Sequence, residues 1–475
     1  MQPKQRYDVN SEYIRFTDGI TPSEQYLTAL CDRTFLSLWS YPNVYRAPGK
    51  ELCDLLVAFE EHIIIFSDKH CEFPAGDLDK DWAQWYHRAI EKSATQLWGA
   101  ERWIRLYTDR VFLDSRCTKK FPLPLNPTAN LKFHLILIAH GASARCREEL
   151  GGSGSLMVNS AVIGSRHTAG RSAGGTPFMV GQAHPDKSYV HIVDDTTLDV
   201  LLRTLDTIAD FTAYLTKKEQ FIKSGRVLAA TGEEELLAYY LTHLNTNGEH
   251  DFVFDDEYNA IFLDEGFWSS FIRSPQRQRQ IEANRISYIW DYIIERFTQN
   301  FLHGTSQFVS DTRLVSHELI LRFFAREPRT RRRMLMSAIA GMIQNTKPSW
   351  RRIQVLLPSR PGDPHFVFLV FPRLKNRSYD EYRAVRASFL EACCQVVRLD
   401  FPDALDIVGF ATETSATDGR SEDAAYFDGR LWTEELATSV RRDKEALGIL
   451  TRSNRFEGVV RDYPLEENGK VLDTR

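Results

Sequence analysis

The segment at residues 49–71, GKELCDLLVAFEEHIIIFSDKHC, constrains the fold of this chain more than any other stretch. Residues 52–59 and 62–66 are short apolar runs rich in β-forming side chains, and the two glutamates between them predict a hairpin turn. Asp54 lies near the start of the first predicted strand and Lys69 lies at the end of the second. A hairpin of this length therefore brings a carboxylate and an ammonium group to the same end of a sheet.

A carboxylate and an ammonium group at one sheet end suit the hydrolysis of phosphate esters. Asp54 would hold a divalent metal, the metal would lower the pKa of a bound water, and Lys69 would orient that water. Because side chains alternate along a strand, Ser67 and Lys69 share one face and Asp68 points to the other.

These residues resemble the PD-(D/E)xK nuclease superfamily, in which a helix precedes an Asp on one strand and an acid-x-Lys motif on the next. The resemblance covers roughly residues 1–100. It implies that Asp54 is a metal ligand, that Lys69 is the catalytic lysine, and that Mg²⁺ or Mn²⁺ is the cofactor. The chain also resembles a bacterial family with ELCDLL and IFSDK signatures, which implies no activity.

The chain departs from the superfamily pattern at Ser67, where a Glu, Asp or Gln normally supplies the second metal ligand. The missing oxygen would then come from Glu51, Asp68 or a helical acid such as Glu24. Ser67 would hold a metal-bound water by hydrogen bonding.

Two predicted helices flank the hairpin. Residues 21–24, TPSE, read as an N-cap, a proline at the first helical position and a capping-box glutamate. Residues 81–104 have the apolar spacing of a second helix. The resemblance implies that a Gln or Lys of this helix reaches the active site; Gln96 is the candidate, and Lys92 lies one turn before it.

The length of 475 residues predicts two or three domains in a mixed α/β protein. Residues 1–225 would form the nuclease-like domain, with a restriction-endonuclease-like core, a glycine- and serine-rich loop at 151–175 and a long helix at 197–222. Residues 226–349 read as mostly helical, residues 350–452 as a small α/β domain, and residues 453–475 as a polar tail.

Arginine is concentrated in the predicted helical region. Residues 271–352 contain 15 Lys and Arg against 6 Asp and Glu, a net charge of +9. The whole chain has a net charge of −5, so the other residues together carry −14. Arginine suits bidentate contacts to phosphate, so this cluster predicts a nucleic-acid surface. The alternative is that the cluster pairs with acids of the same protein or of a partner. The predicted contact residues are Arg329, Arg331, Arg332, Arg333, Arg351 and Arg352.

Other features exclude some classes of protein. No apolar run approaches the ~20 residues that span a bilayer, and the polar start MQPKQRYDVN is not a secretory signal, so we expect no membrane partner and a cytoplasmic location. The seven cysteines show no CxxC spacing, and no two histidines have metal-ligand spacing on a helix.

Together these features predict a metal-dependent nuclease that cleaves nucleic acid, DNA more than RNA, with a role in restriction or antiviral defence. A homo-oligomer or a defence-system partner protein would be compatible with this prediction. One alternative is a catalytically degenerate nuclease fold that only binds nucleic acid or a protein. Another is an assembly factor built around its arginine-rich helices.

Overall fold

The protein was analysed as a computed structural model with a mixed α/β fold, as the sequence predicts. The structure describes residues 17–125, 130–253, 258–302, 314–360, 362–414, 421–451, 461–464, 466–467 and 470–471. The chain divides into two compact units, residues 1–278 and residues 279–475.

The first unit alternates helices and strands along most of its length. Its elements are α1 (Pro22–Phe35), β1 (Ser40–Ala47), β2 (Lys50–Phe59), β3 (His62–His70), α2 (Leu78–Tyr86), α3 (Lys92–Leu106), β4 (Lys132–His140), α4 (Ser143–Leu150), β5 (Met157–Ile163), β6 (Met179–Gln182), β7 (Val190–Val193), α5 (Thr197–Thr204), α6 (Ile208–Lys223), β8 (Val227–Ala230), α7 (Glu233–Thr242), β9 (Ala260–Leu263) and α8 (Phe267–Arg273).

The central sheet of this unit has the strand order β1-β2-β3-β4-β7. The first three strands are antiparallel, with Leu55 opposite Phe66, whereas β3, β4 and β7 are parallel. Parallel strands end at the same edge of a sheet, and the antiparallel β2 begins at that edge. The ends of β3, β4 and β7 and the start of β2 therefore meet.

Helix α1 begins where the sequence predicts. The Thr21 side chain accepts from the backbone of Glu24, and the Glu24 side chain accepts from the backbone of Thr21, so the capping box is complete. At the other end of the helix, the Phe35 ring lies 6.1 Å from Phe66 of β3 and 5.2 Å from Phe211 of α6. Helices α1 and α6 thus cover the sheet face that carries Phe66, which we call the α1 face.

The opposite face of the central sheet is covered by α2 and α3. The indole of Trp85 donates to the Cys71 carbonyl at 3.0 Å, and α3 contacts β2, β3 and β4 through buried residues that include Ala94, Leu97 and Ile104. A π-helical turn, His87–Glu91, joins the two helices, so the predicted helix at 81–104 forms as one continuous helical stretch with a local bulge.

A second sheet in the first unit has the order β6-β5-β8-β9. Strand β5 lies inside the glycine- and serine-rich segment for which the sequence predicted a flexible loop. Strands β8 and β9, with α7 and α8, lie in the region predicted as a separate helical module. The pairing of β8 with both β5 and β9 ties this region into the first unit, which therefore extends to residue 278 rather than 225.

The second unit contains helices followed by a sheet. Its elements are α9 (Pro275–Asn284), which contains the boundary between the units, α10 (Tyr288–Leu302), α11 (Leu314–Ala325), α12 (Arg329–Gln344), β10 (Arg352–Leu356), β11 (His365–Phe371), α13 (Tyr379–Asp400), β12 (Asp406–Glu413), β13 (Asp423–Asp428), α14 (Glu434–Leu447), β14 (Glu466–Glu467) and β15 (Lys470–Val471).

The sheet of the second unit has the order β10-β11-β12-β13, and β10 and β11 form an antiparallel pair. The fully buried Trp290 of α10 packs 6.3 Å from Phe366 and 5.9 Å from Phe410, ring centre to ring centre. The helices predicted as a separate module therefore share one core with the C-terminal sheet, and the predicted boundary at 349/350 is not a boundary between compact units. The predicted tail at 453–475 lies mostly outside the described residues.

In the part of the chain that the structure describes, no helix has the length and apolar character needed to cross a bilayer.

Candidate active site

Polar side chains collect where the parallel strands of the central sheet end. Asp68 lies near the end of β3, His140 ends β4, and Asp195 follows β7. Asp54 lies at the same edge, in β2, one residue before Leu55, where the pairing of β2 with β3 begins. Ligands of open α/β sheets bind outside the carboxyl ends of the strands, so this edge is the candidate site. We call Glu51, Asp54, Asp68 and Asp195, together with His140, the acidic edge.

Asp54 is the carboxylate with the most perturbed ionisation at this edge. Its Oδ2 atom accepts a hydrogen bond of 2.5 Å from the backbone nitrogen of Asp68. Burial and, to a smaller extent, the carboxylates of Glu51, Glu24 and Asp68 together raise the pKa of Asp54 to about 7, against the hydrogen bond from the Asp68 backbone. Repulsion among several carboxylates is what a bound cation would relieve.

Glu51 and Glu24 approach Asp54 from β2 and from the first turn of α1. Asn43 holds both, since its Nδ2 atom donates to Oε1 of Glu51 at 2.9 Å and to Oε2 of Glu24 at 3.3 Å. Burial and the charge of Glu24 raise the pKa of Glu51, against the hydrogen bond from Asn43. Glu24 also accepts from the backbone of Ile20 at 2.7 Å, so it serves the helix cap and is a poor candidate for a ligand.

Asp68 links the sheet to α1 and to β4. Its Oδ2 atom accepts from the Ser23 hydroxyl, and its Oδ1 atom lies 2.5 Å from Nε2 of His140. The parallel register places Asp68 and His140 on the α1 face, because Asp68 is opposite Ile138, two residues before His140.

His140 bridges two carboxylates. Its Nδ1 atom lies 3.6 Å from Oδ1 of Asp195, on the side of the ring away from Asp68. Burial lowers the pKa of His140, but the hydrogen bond to Asp68 and the charges of Asp68 and Asp195 raise it more, so the net shift is upward. A protonated histidine is able to donate a proton to a leaving group, and the upward shift of this pKa favours the protonated form.

Lys69 and Ser67 lie on the face opposite to Asp68, as strand alternation predicts. Ser67 is buried and Lys69 is partly exposed. Across the described residues Lys69 forms no ion pair, so its ammonium group is not held by Asp54. The sheet brings Asp54 and Lys69 to the same end, but not into contact.

Gln96 does not lie at this site. It is exposed on α3, whose buried residues face the sheet, and α3 covers the face opposite to Asp68 and His140. The expected role of Gln96 is therefore corrected: a residue four positions from Lys92 shares its exposed helix face and points to solvent.

The oxygen donors of the acidic edge match the chemistry of Mg²⁺ and Mn²⁺. Asp54, Asp68 and Glu51, the predicted metal ligands, do not form a compact trio, because no three of their ligand atoms meet within 4.8 Å. Mg²⁺ is usually held by one or two carboxylates, with waters and substrate phosphates completing its shell. Asp54 and Asp68 offer two carboxylates, joined through the hydrogen bond from the Asp68 backbone nitrogen to Asp54.

A second group of potential ligands lies on the α1 face at the other end of the strands. His134 of β4, His191 of β7 and Glu219 of α6 place their ligand atoms within 4.8 Å of one another. Among the described residues this is the compact group of His, Cys, Asp or Glu side chains that could hold a metal. We call these three residues the histidine cluster.

The predicted nucleic-acid arginines of α12 are largely buried in the second unit. Arg332 and Arg333 are each 1% exposed, and Arg329 is also buried. Arg329 and Arg332 both pair with Asp291 of α10, at 2.8 and 2.7 Å. Their predicted role as surface contacts is corrected, because these guanidinium groups neutralise an acid of the same unit.

The remaining predicted arginines differ in exposure. Arg331 is partly buried beside Glu327 and donates to the Leu357 carbonyl at 3.0 Å. Arg351 is exposed, donates to the Leu447 carbonyl and stacks over the Phe389 ring, and Arg352 is exposed at the start of β10. Only Arg351 and Arg352 of the predicted set are accessible to a nucleic acid.

Sequence reasoning did not assign roles to His140, Asp195, Ser23 or Asn43. One signal was available: His140 ends an apolar strand, and Asp195 follows another. If the strands had been predicted as parallel neighbours, these side chains would have been placed beside Asp68.

Comparison with known proteins found no matching family model, no significantly similar curated protein and no significantly similar solved structure.

Proposed function

We propose that the first unit is a divalent-metal-dependent nuclease whose active site is the acidic edge. The observation that carries the proposal is Asp54, a carboxylate whose pKa is raised to about 7 by burial and by surrounding carboxylates. It lies at the sheet edge where the parallel strands β3, β4 and β7 end. The order of helix, Asp-bearing strand and Lys-bearing strand supports the superfamily resemblance.

Each side chain has a distinct task in this proposal. Asp54 and Asp68 hold the metal, and Glu51 adds negative charge to the site. When bound, the cation would lower the pKa of a water and neutralise charge on a phosphate. His140, oriented by Asp68 and Asp195, gives a proton to the departing oxygen.

Lys69 has a supporting task. Among the described residues it forms no ion pair, so its charge at the same sheet edge is available to the substrate phosphate. Ser67 is buried beside Asp68 in β3 and takes no part in the proton transfer assigned to His140.

Nucleic acid is the proposed substrate class, DNA before RNA, and a defence role remains part of the proposal. The buried arginines of α12 do not support substrate binding. The nucleic acid would instead be drawn to the metal and to Lys69 in the first unit, because both offer positive charge to phosphate.

A cleavage assay tests the proposal. The full chain is incubated with single- and double-stranded DNA and RNA in Mg²⁺ or Mn²⁺, beside Asp54→Asn, Lys69→Ala and His140→Asn. We expect metal-dependent cleavage that falls by about 10²–10⁴-fold in Asp54→Asn and by about 10²-fold in His140→Asn.

Matched controls are available on the surface of the first unit. Asp186 and Lys187 are exposed and lie outside the acidic edge, so Asp186→Asn and Lys187→Ala should cleave like the wild type. Cleavage that persists in Asp54→Asn would contradict the proposal. Binding without cleavage, unchanged in every variant, would establish the binding-only alternative that the serine at position 67 favours.

A further inference from the structure

The histidine cluster lies far from the acidic edge although both use strand β4. His134 is six residues before His140 on the same face of this strand, which separates them by about 20 Å at ~3.3 Å per residue. His134 and His191 are buried, with 3% and 2% of their side chains exposed, and Glu219 is 14% exposed. The cluster therefore belongs to the interior of the first unit.

The three side chains converge on a single oxygen. Oε1 of Glu219 lies 3.0 Å from Nδ1 of His134 and 3.0 Å from Nε2 of His191. Ligand atoms of a tetrahedral zinc site lie about 3.3 Å apart, because Zn–N and Zn–O bonds are about 2.0–2.1 Å long. Oε1 of Glu219 lies close to that separation from both nitrogens, and the ligand atoms of the three residues, from β4, β7 and α6, all lie within 4.8 Å of one another.

A further histidine supports the cluster from β3. Nδ1 of His62 lies 3.0 Å from Nε2 of His134, and the two rings are stacked with centroids 5.3 Å apart. Metal-ligating histidines usually hydrogen-bond through their second ring nitrogen, which fixes the ring orientation. His62 occupies that supporting position for His134.

Lys223 lies 3.5 Å from Oε2 of Glu219, but its side chain is 71% exposed. Water therefore screens the charge of Lys223 at the buried carboxylate.

We propose that His134, His191 and Glu219 form a structural site for a transition-metal dication of the zinc class. Two imidazoles and one carboxylate suit Zn²⁺ and not Mg²⁺, so this site is chemically distinct from the acidic edge. The bound ion ties β4, β7 and α6 together in the interior of the first unit.

Metal analysis of the full chain tests this inference. Protein stripped with a chelator is given one equivalent of Zn²⁺ and desalted, beside Glu219→Gln, the surface control His184→Ala and the acidic-edge variant Asp54→Asn. We expect about one zinc per chain in the wild type and in both controls, with affinity at least 10-fold lower in Glu219→Gln. Glutamine keeps the shape and an acceptor oxygen, so a purely hydrogen-bonded cluster would tolerate it.

Co²⁺ absorption of the wild type provides a readout that needs no variant to fold. A visible band of nitrogen- and oxygen-ligated Co²⁺ that Zn²⁺ displaces supports the site, together with slower hydrogen exchange in β4, β7 and α6. A spectrum of free aqueous Co²⁺, or equal zinc retention by Glu219→Gln, overturns it.

Discussion

The acidic edge of the first unit and the arginine network of the second unit show two opposite ways of using clustered charge. At the acidic edge, Asp54 is surrounded by other carboxylates and its pKa rises to about 7. In the second unit, Asp291 accepts from two buried arginines, Arg329 and Arg332. Both clusters are visible in the sequence as charge. A structural network has side chains of opposite charge beside the cluster, and a candidate site lacks them.

The same distinction applies to Arg386 of α13. It is fully buried and lies 2.6 Å from Asp423 and 3.5 Å from Glu413. Buried charges that satisfy one another are strongly interdependent, because removing one partner leaves the other desolvated and unpaired. The arginines of the second unit therefore hold the fold, whereas we propose that a cation from outside the chain neutralises the carboxylates of the acidic edge.

The largest predicted effect is in the arginine network. Asp291→Asn removes the carboxylate charge that pairs with both Arg329 and Arg332. We therefore expect the second unit to lose about 3–5 kcal/mol of stability. Hydrogen exchange by mass spectrometry reports peptides of each unit separately. A change below about 0.5 kcal/mol in the second unit would show that the network is not structural.

The next effect has the opposite sign. Asp54→Asn should stabilise the metal-free first unit at pH 8, by on the order of 1–3 kcal/mol after allowance for partial exposure. The ordinary pKa of 3.8 rises to about 7 on folding, so the penalty is absent below pH 3.8 and complete above pH 7. The stabilisation should vanish near pH 4. Destabilisation at pH 8 would contradict the account of Asp54.

A smaller effect is expected at His140. Its folded pKa is raised above 6.5, so its contribution is fully present below pH 6.5 and is lost as the pH rises through the folded value. His140→Asn should therefore destabilise the first unit by about 1 kcal/mol at pH 6 and have no effect at pH 9. Urea unfolding at the two pH values measures the difference. Equal losses at both would mean that packing, not charge, explains the effect.

The smallest effect belongs to the surface control. Asp186 is exposed, and its side chain makes no ion pair with the described residues, so Asp186→Asn should change stability by less than about 0.5 kcal/mol at any pH. Thermal unfolding at pH 4 and pH 8 checks this. A pH-dependent change as large as that of Asp54→Asn would remove the contrast between the acidic edge and the surface.

Local signals in the sequence predicted much of the fold. The capping box at Thr21 opens α1 where expected, and the predicted hairpin turns at Glu60, which has a positive φ of 51°. These features depend on residues a few positions apart, which sequence patterns report directly. The mixed α/β class follows from them.

Features that depend on distant partners were not predictable. The apolar pattern at 197–222 predicted one long helix, but the structure has two helices, α5 and α6. Thr207 caps the second helix. Strand β5 needs β8 and β6 as partners, and these lie elsewhere in the chain. Asp291 is distant in sequence from the arginines that it pairs with, so their burial was also hidden.

The site was predicted in part for the same reason. Asp54, Glu51 and Asp68 were placed together because one hairpin contains them. His140 and Asp195 join them only through the parallel order of β3, β4 and β7, which no local pattern encodes. The exposed position of Gln96 was not predicted, because helical spacing alone does not say which face of α3 packs on the sheet.

The most direct test of the central claim is a Mg²⁺ titration of stability at pH 8. Metal-free wild type, Asp54→Asn and Asp186→Asn are unfolded at increasing Mg²⁺, which the histidine cluster does not favour. A ligand that binds only the folded state stabilises it by about 2.7 kcal/mol at 100 times its Kd. We predict this gain in the wild type and in Asp186→Asn and its loss in Asp54→Asn. An equal gain in all three, or none in the wild type, would contradict a metal site at the acidic edge.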